Sequence, residues 1–329
     1  MYSNYTVSIL VPFYQVERFI ERCARSLFDQ TYPDLEFVFV DDGSTDRSAE
    51  VLERVISQYP DRASSVKVIR HGVNRGFVAA RNTALDHASG AFICFVDADD
   101  WMEQDGVEQL VAEQVKTDAD VVWGKALMHS EEGERLLQEP VYKDLEAWRQ
   151  CYFRFTTGLV IVFWRRLIRR SLFEKYHIRF EEAQHIGDDK QVLPIIAYYA
   201  ESFSTVDAIV YHYERGNPEA YTYRSRQGWD YLENEIREIE SMRRVVRFLT
   251  DKEPAYMETA QNAKRERLLA YRRDALVHAS RECFRMMIRW IWETPASYRD
   301  RYGWRRCSWK TWMKSNYTLS RLLYLIKKC

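Results

Sequence analysis

The stretch "AFICFVDADDW", residues 91–101, decides the fold class and points to the functional site. Its apolar run has the character of a buried strand, and it leads without a turn residue into Asp97, Asp99 and Asp100. On extended backbone, Asp97 and Asp99 would point the same way at a spacing of ~5–7 Å. Two like charges at that spacing repel each other unless a cation lies between them. Because hard oxygen ligands suit Mg²⁺ or Mn²⁺, which usually also bind substrate phosphates, the stretch predicts a divalent-metal site.

Short apolar runs alternate with helical patterns on both sides of this stretch. We predict strands at 7–13, 35–42, 65–71, 91–97, 119–124, 158–164 and 203–214, and helices at 17–30, 48–59, 76–88, 103–116 and 189–200. Continuous apolar strands between helices predict an α/β fold, with a mostly parallel sheet flanked by helices on both faces. Ligands bind such sheets at the carboxyl ends of the strands, which is where the acidic residues lie.

A second predicted strand also ends in acidic residues, in "FVFVDDGSTD" (37–46). A structural alternative applies here, because Asp42-Gly43-Ser44 is typical of a turn into a helix, with Ser44 or Thr45 as N-cap. Asp100 could likewise cap the helix that follows it. The segment after the first strand, "VPFYQVERF", contains no glycine, so the dinucleotide-binding turn is absent, and no P-loop motif occurs. With both of these phosphate-binding motifs absent, the ligand that still fits is a diphosphate held through a metal ion, such as a nucleotide sugar.

Five short motifs occur in a consistent order along the chain. They are "VPFYQ" (11–15), "DDGSTD" (41–46), "NRGFVAARN" (74–82), "DADD" (97–100) and "GDD" (187–189). With these motifs the sequence resembles the inverting family 2 glycosyltransferases of the GT-A fold, over about residues 6–215. Gln15 replaces the asparagine usual in that family, and Asp188 stands where glutamate is commoner.

The resemblance implies a role for each matched residue. Pro12, Tyr14 and Glu17 would border the nucleotide, and Asp42 would hold its base. Asn74, Gly76 and Arg81 would lie on the donor side, with Arg81 near the diphosphate. Asp97 would face the ribose or diphosphate beside Ala98, and Asp99 would ligate Mn²⁺ or Mg²⁺. Asp189 would be the general base, with Asp188 as the neighbouring candidate.

Each of these roles has a structural alternative. Arg81 could be a solvated helix residue, and Tyr14 could serve packing. Asp188 and Asp189 could cap the helix that starts there, since acidic residues favour helix N-termini. His185 is a lone histidine without a predicted catalytic role.

The reaction implied by the resemblance is a metal-dependent transfer of a sugar from a nucleotide sugar, with UDP-sugar as the expected donor. The acceptor would be a hydroxyl of a glycan carried on a lipid, in surface polysaccharide synthesis. Two other classes stay open at this point. A sugar-phosphate nucleotidyltransferase would need a Gly- and Lys-rich loop after the first strand, which is missing. A non-catalytic nucleotide-sugar-binding protein would have no need of both acidic clusters.

The charge of the chain is unevenly distributed. Residues 229–329 hold 22 Lys/Arg against 13 Asp/Glu, whereas the first 228 residues carry a net −10. We therefore predict a catalytic domain at 1–228 and a helical, basic and aromatic region at 229–329. Its last part, 264–329, has a net charge of +12 and five tryptophans, between 290 and 312. Such a segment suits an anionic membrane surface, and packing on the catalytic domain or nucleic-acid binding are the alternatives. We expect the membrane and no nucleic acid.

Cysteine usage and hydropathy set the expected compartment. The six cysteines are scattered without a CxxC or a Cys/His metal pattern, which indicates free thiols in a reducing environment. The N-terminus lacks the basic start and long apolar core of a signal peptide, and no apolar window is long enough to span a membrane. We expect a cytoplasmic protein that is peripheral on the inner face of the cell membrane.

Overall fold

The structure is a computed structural model that describes residues 5–154, 161–182, 187–217, 242–250, 252–261 and 263. The strands are β1 Val7–Phe13, β2 Leu35–Asp41, β3 Val66–Arg70, β4 Phe92–Phe95, β5 Trp101–Met102, β6 Val121–Ser130, β7 Gly133–Leu137, β8 Arg166–Arg169 and β9 Phe203–Glu214. The helices are α1 Ile20–Phe28, α2 Ser48–Ser57, α3 Pro60–Ala63, α4 Phe77–His87, α5 Gly106–Thr117, α6 Leu145–Phe153, α7 Arg170–Lys175 and α8 Asp188–Tyr199.

The strands form one sheet in the order β3-β2-β1-β4-β8-β6-β9-β5, with β7 paired to β6. Strands β1 to β4 are mutually parallel, and β6 is parallel to β9. Strand β8 runs antiparallel to both of its neighbours, β4 and β6, so the sheet is mixed beyond β4. Because two antiparallel steps restore direction, the carboxyl ends of β1, β2, β4, β6 and β9 lie at one edge, called the carboxyl edge below. The predicted α/β fold with flanking helices is confirmed.

The core explains why β1 and β2 resemble continuous apolar runs in the sequence. Every residue of both strands is buried, as expected for strands covered on both faces. Helix α1 packs one face into this core, through Ile20, Cys23, Ala24, Leu27 and Phe28. Each large side chain buried in this way contributes on the order of 1.5–3 kcal/mol. The strands that end at the carboxyl edge are therefore anchored in a packed core.

The predicted strand at 158–164 is wrong where the structure describes it, since 161–164 is not strand and β8 begins at Arg166. Residues 158–160 lie outside the described part. Phe163 packs on Phe95 at 4.9 Å between ring centroids, and Trp164 stacks on Tyr211 at 5.1 Å. The apolar run is buried through irregular backbone, which its composition cannot distinguish from a strand.

The chain divides into two compact units, Met1–Tyr152 with Thr156–Ala220, and Phe153–Phe155 with Tyr221–Cys329. In the second unit, 242–250 and 254–261 are helical and bury Met242, Val245 and Leu249. The predicted boundary at 228/229 and the basic segment 264–329 lie outside the described residues. The domain limits therefore stay a prediction.

Candidate active site

The D-x-D turn, residues 97–100, leaves the carboxyl end of β4 as a turn and not as extended chain. Strand β4 ends at Phe95, and the Asp100 N–H donates to the Asp97 carbonyl at 3.0 Å. The prediction that Asp97 and Asp99 lie on extended backbone is therefore wrong. The turn still keeps the two carboxylates within electrostatic reach of each other. Burial, and then the charge of Asp97, raises the pKa of Asp99 to about 6.

Asp99 is held from two sides. Asn217 donates from Nδ2 to Asp99 Oδ2 at 2.9 Å, and Arg22 donates from Nη2 to the Asp99 carbonyl at 2.8 Å. The Arg22 guanidinium stacks on the Trp101 ring at 3.8 Å and pairs with Glu214 at 3.2 Å. The structure thus fixes the predicted metal ligand through residues that no motif identified.

Asp100 does not cap the following helix, because α5 begins only at Gly106. Its side chain is fully buried, where Oδ1 accepts the Glu214 N–H at 2.8 Å and Oδ2 accepts the Tyr211 hydroxyl at 2.7 Å. Burial raises the pKa of Asp100 well above its ordinary value. Both side-chain oxygens of Asp100, the last acid of "DADD", are therefore hydrogen-bonded to residues of β9.

Arg81 is a buried hub and not a solvated helix residue, since it is only 2% exposed. Its Nη1 contacts Asp188 and donates to Asp189 Oδ1 at 3.0 Å, and its Nη2 donates to Asp97 Oδ1 at 3.2 Å. Four phenylalanine rings surround the guanidinium at 4.4–5.5 Å, namely Phe77, Phe95, Phe163 and Phe180. Arg81 therefore joins the two acids of α8 to the D-x-D turn, and its predicted contact with a diphosphate stays a prediction.

Asp188 and Asp189 form the first turn of α8, after Gly187 in a left-handed conformation at φ 69°. No side-chain cap hydrogen bond closes this helix start, and both carboxylates point to Arg81 instead. Burial, followed by the charge of Asp188, raises the pKa of Asp189 to about 7, and Arg81 opposes that shift. A carboxylate with a pKa near neutrality is suited to accept a proton at physiological pH. Both acids also lie in the first turn of α8, and the role of Asp189 as general base stays a prediction.

Asp42 lies beneath the loop that would face the nucleotide. Its Oδ1 accepts the Arg75 N–H at 2.9 Å and contacts His71 Nδ1 at 2.7 Å, while Oδ2 accepts the Gly76 N–H at 2.8 Å. Asn74 Oδ1 also accepts the Gly76 N–H, at 3.1 Å. Gly76 has φ 94°, which suits glycine. Asp42 thus shapes the loop, and its predicted contact with the base stays a prediction.

The "DDGSTD" turn is fastened to the loop that follows β1. Ser44 Oγ accepts the Gln15 N–H at 3.1 Å, and Asp46 Oδ2 accepts the Glu17 N–H at 3.1 Å. Glu17 in turn accepts the Arg47 N–H at 3.0 Å. These contacts bring the first two predicted nucleotide motifs together at the carboxyl edge.

Ser44 and Thr45 do not cap α2, so that prediction is wrong. The helix begins at Ser48 after Arg47, and Asp46 Oδ1 accepts the Ser48 N–H at 3.0 Å. Three residues separate Ser44 from the start of the helix because the turn first closes on the β1 loop.

The donor side also contains residues in unusual conformations. Gln15 has φ 52°, a left-handed conformation that asparagine adopts more readily, which gives a reason for the asparagine usual at this position. A Cβ at Gly43, with φ 76°, would lie 2.8 Å from the Val73 carbonyl carbon, so only glycine lets these two loops meet. Tyr14 is 41% exposed and so is not a packed core residue, and its predicted contact with the nucleotide stays a prediction. Pro12 and Ala98 are buried and shape the strand ends from within.

The oxygen donors at the D-x-D turn fit a divalent cation. Within the described residues no group of three His, Cys, Asp or Glu side chains forms a ready-made metal site. Mg²⁺ and Mn²⁺ sites of phosphate-transferring proteins use one or two carboxylates and take the other ligands from water and substrate. Asp97 and Asp99 match that pattern, and a cation bound there would offset the charge of the two acids.

Comparison with known sequences identifies the family. The profile described as "Glycosyl transferase family 2" matches residues 8–177. The chain belongs to glycosyl transferase family 2. "Uncharacterized glycosyltransferase EpsJ" of Bacillus subtilis (strain 168) is 34% identical over 226 residues, 66% of this chain and 62% of that protein. "Glycosyltransferase GlyA" of Streptococcus pneumoniae is 31% identical over 232 residues, 68% of this chain and 31% of that protein. The match thus spans less than two thirds of either relative.

Solved structures share the fold of this family 2 chain. TarS 1-349 of S. aureus, in complex with UDP-GlcNAc, has a TM-score of 0.67 at 21% identity, over 88% of this chain and 80% of that one. The mannosyltransferase PcManGT of Pyrobaculum calidifontis, in complex with GDP-Man and Mn²⁺, has a TM-score of 0.53 at 20% identity, over 90% and 87%. These matches confirm the GT-A-type architecture.

None of the helices in the part of the chain that the structure describes is both long enough and apolar enough to cross a bilayer.

Proposed function

We propose that this chain is a metal-dependent inverting glycosyltransferase that moves a sugar from a nucleotide sugar to a hydroxyl of a glycan acceptor. One observation carries the proposal. The acids of α8 and the first acid of the D-x-D turn meet on the same buried Arg81, at 3.0 Å from Asp189 and 3.2 Å from Asp97. A candidate base therefore lies beside the candidate diphosphate site.

The residues of the chain have complementary tasks in this reaction. Asp189 accepts the proton of the acceptor hydroxyl as the oxygen attacks the anomeric carbon. The bond to the nucleoside diphosphate breaks on the opposite face, so a single displacement inverts the anomeric configuration. Asp99 would hold the divalent ion, which when bound offsets charge on the departing diphosphate, and Asp97 would face the ribose or diphosphate beside it. Tyr14 and the loops fastened by Asp42 and Asp46 would hold the nucleotide.

UDP-sugars are the proposed donors. Support comes from TarS, whose structure was determined with UDP-GlcNAc. The complex of PcManGT with GDP-Man makes GDP-sugars the alternative.

Product analysis with a donor panel tests this function. The chain, residues 1–329, is incubated with UDP- and GDP-sugars and Mn²⁺, and we expect slow release of one nucleoside diphosphate, accelerated by a glycan acceptor. Pyrophosphate formed from a sugar phosphate and a nucleoside triphosphate would instead identify a nucleotidyltransferase. Tight donor binding without any product would identify a non-catalytic binding protein.

We further propose that residues 229–329 form a separate region beyond the catalytic domain 1–228 and bring it to an anionic membrane, where a lipid-linked acceptor would be found. The support is the net charge of +12 and the five tryptophans of 264–329. Basic residues are attracted to anionic lipids, and aromatic side chains favour the interface.

Vesicle sedimentation tests the membrane proposal. The chain, residues 1–329, should sediment with anionic vesicles and less with neutral ones. Salt should weaken the attraction, because exposed charges are screened over ~8–10 Å at physiological ionic strength. Equal sedimentation with both lipids, or none with either, would contradict the proposal.

A further inference from the structure

We propose that Asp100 and Tyr211 form a positioning bridge that ties β9 to the D-x-D turn, so that Asp99 and Asn217 are set in place together. The expected effect of the bridge on ligand binding rests on the proposed function. The hydrogen bonds that form the bridge are present whatever ligand the site binds.

The Tyr211 hydroxyl contacts both ends of the turn. It donates to Asp100 Oδ2 at 2.7 Å and accepts the Asp97 N–H at 3.1 Å. Removing the hydroxyl would leave a buried acceptor and a buried backbone donor without this partner, and each such loss carries a desolvation cost. One oxygen atom therefore links the first and last residues of "DADD".

The ring of Tyr211 is held firmly enough for this task. It is fully buried, and it stacks on Trp164 at 5.1 Å with an interplanar angle of 15°. Trp164 also stacks on Tyr213 at 5.5 Å, so two tyrosines of β9 share one indole. Because the ring is packed, the hydroxyl has a defined position from which to orient the turn.

A second set of contacts connects the D-x-D turn to the end of β9. Glu214, whose N–H is bonded to Asp100, pairs through its carboxylate with Arg22, and Arg22 donates to the Asp99 carbonyl. Three residues further, Asn217 is bonded to the Asp99 carboxylate. Asp99 is thus held at its side chain by Asn217, three residues past the end of β9, and at its carbonyl by Arg22 of α1, which pairs with Glu214.

The bridge also explains the presence of the fourth residue of "DADD". Both oxygens of Asp100 already accept protein hydrogen bonds in the buried interior. Burying a carboxylate is costly unless it is well hydrogen-bonded. Residues that orient metal ligands typically affect metal affinity or activity by about 10–100-fold. We therefore assign Asp100 and Tyr211 as positioning residues and not as ligands.

Tyr211→Phe tests the bridge, with Tyr213→Phe as the matched control. Both variants remove one hydroxyl from a β9 tyrosine stacked on Trp164, and the hydroxyl of Tyr211 is the one bonded to Asp97 and Asp100. We expect Tyr211→Phe to stay folded and to lose about tenfold or more in Mn²⁺-dependent UDP affinity by titration calorimetry. Tyr213→Phe should keep wild-type affinity. Equal affinity of the two variants would overturn the inference.

Hydrogen exchange separates failure of the bridge from failure of the proposed function. Even without a donor, Tyr211→Phe should speed amide exchange in peptides that contain Asp97 and Glu214, relative to Tyr213→Phe. Unchanged exchange would overturn the bridge whatever ligand the site binds. If wild type binds no nucleoside diphosphate while exchange still changes, the proposed function fails and the bridge stands.

A second variant keeps the test decisive if Tyr211→Phe does not fold. Arg22→Lys keeps the charge at a half-exposed position but loses the forked contact with Glu214 and the bond to the Asp99 carbonyl. It should weaken Mn²⁺-dependent UDP binding and increase exchange at Glu214. Wild-type values in both measurements would contradict the inference.

Discussion

Asp189→Asn should lower the rate of sugar transfer by about 10²–10⁴-fold, the usual contribution of a general base, while donor affinity stays near wild type. Asparagine keeps the shape of the side chain and can still accept a hydrogen bond from Arg81. The variant should therefore fold normally. Single-turnover transfer kinetics and UDP titration on the same preparation measure the two effects separately.

Asp188→Asn is the matched control, because Asp188 lies in the same turn of α8 and contacts the same guanidinium. It should keep far more activity than Asp189→Asn. A near-normal transfer rate for Asp189→Asn, with a large loss for Asp188→Asn, would move the role of base to Asp188. If both variants transfer at wild-type rates, neither acid is the base.

The wild-type pH profile gives a related check on the base. Burial raises the pKa of Asp189 to about 7, and the residue acts as a base only when it is ionised. Transfer should therefore rise as the pH increases through about 7 and level off above it. Asp189→Asn should lose this dependence, whereas a structural role for Asp189 would leave the rise in place.

Asp99→Ala should abolish the Mn²⁺-dependent part of UDP binding, because this carboxylate would connect the protein to the diphosphate through the cation. Titration calorimetry with UDP, in the presence and absence of Mn²⁺, measures that part directly. Asp207→Ala is a suitable control, since Asp207 is an acid of β9 whose side chain is 91% exposed. It should bind like wild type.

Unchanged metal-dependent affinity in Asp99→Ala would contradict the metal assignment. If wild type ignores UDP but binds GDP in the same metal-dependent manner, only the choice of nucleobase is wrong. The variant should not unfold, because the raised pKa of Asp99 marks a carboxylate that burial disfavours in its charged form.

Local sequence patterns predicted the bounds of some strands well. Strands β1 and β9 have the predicted bounds, because burial on both faces requires a mostly apolar run in β1, and β9 has a long β-branched and aromatic run. The same logic failed at 161–164, where Phe163 and Trp164 are buried without forming strand. Burial selects apolar residues in either backbone conformation.

The capping roles considered from the sequence depended on what else each residue contacts. Asp100 and the Ser44-Thr45 pair were both given capping roles that the structure does not support. In each case the side chain or the turn bonds to a segment distant in sequence, Tyr211 for Asp100 and Gln15 for Ser44. A cap can be predicted from neighbouring residues, whereas a bond across 29 or 111 positions cannot.

The sequence by itself determined the α/β class, the placement of acidic residues at strand ends and the family, because spacing and order along the chain are sufficient for each. Only the tertiary structure decided that Arg81 joins Asp97 to the acids of α8, and that β9 holds the D-x-D turn through Tyr211. These contacts bring together residues whose individual types are common. These residues can act together only because the fold brings them close at a buried edge of the sheet. Loss of solvent there makes the pKa of each charged group depend on its neighbours.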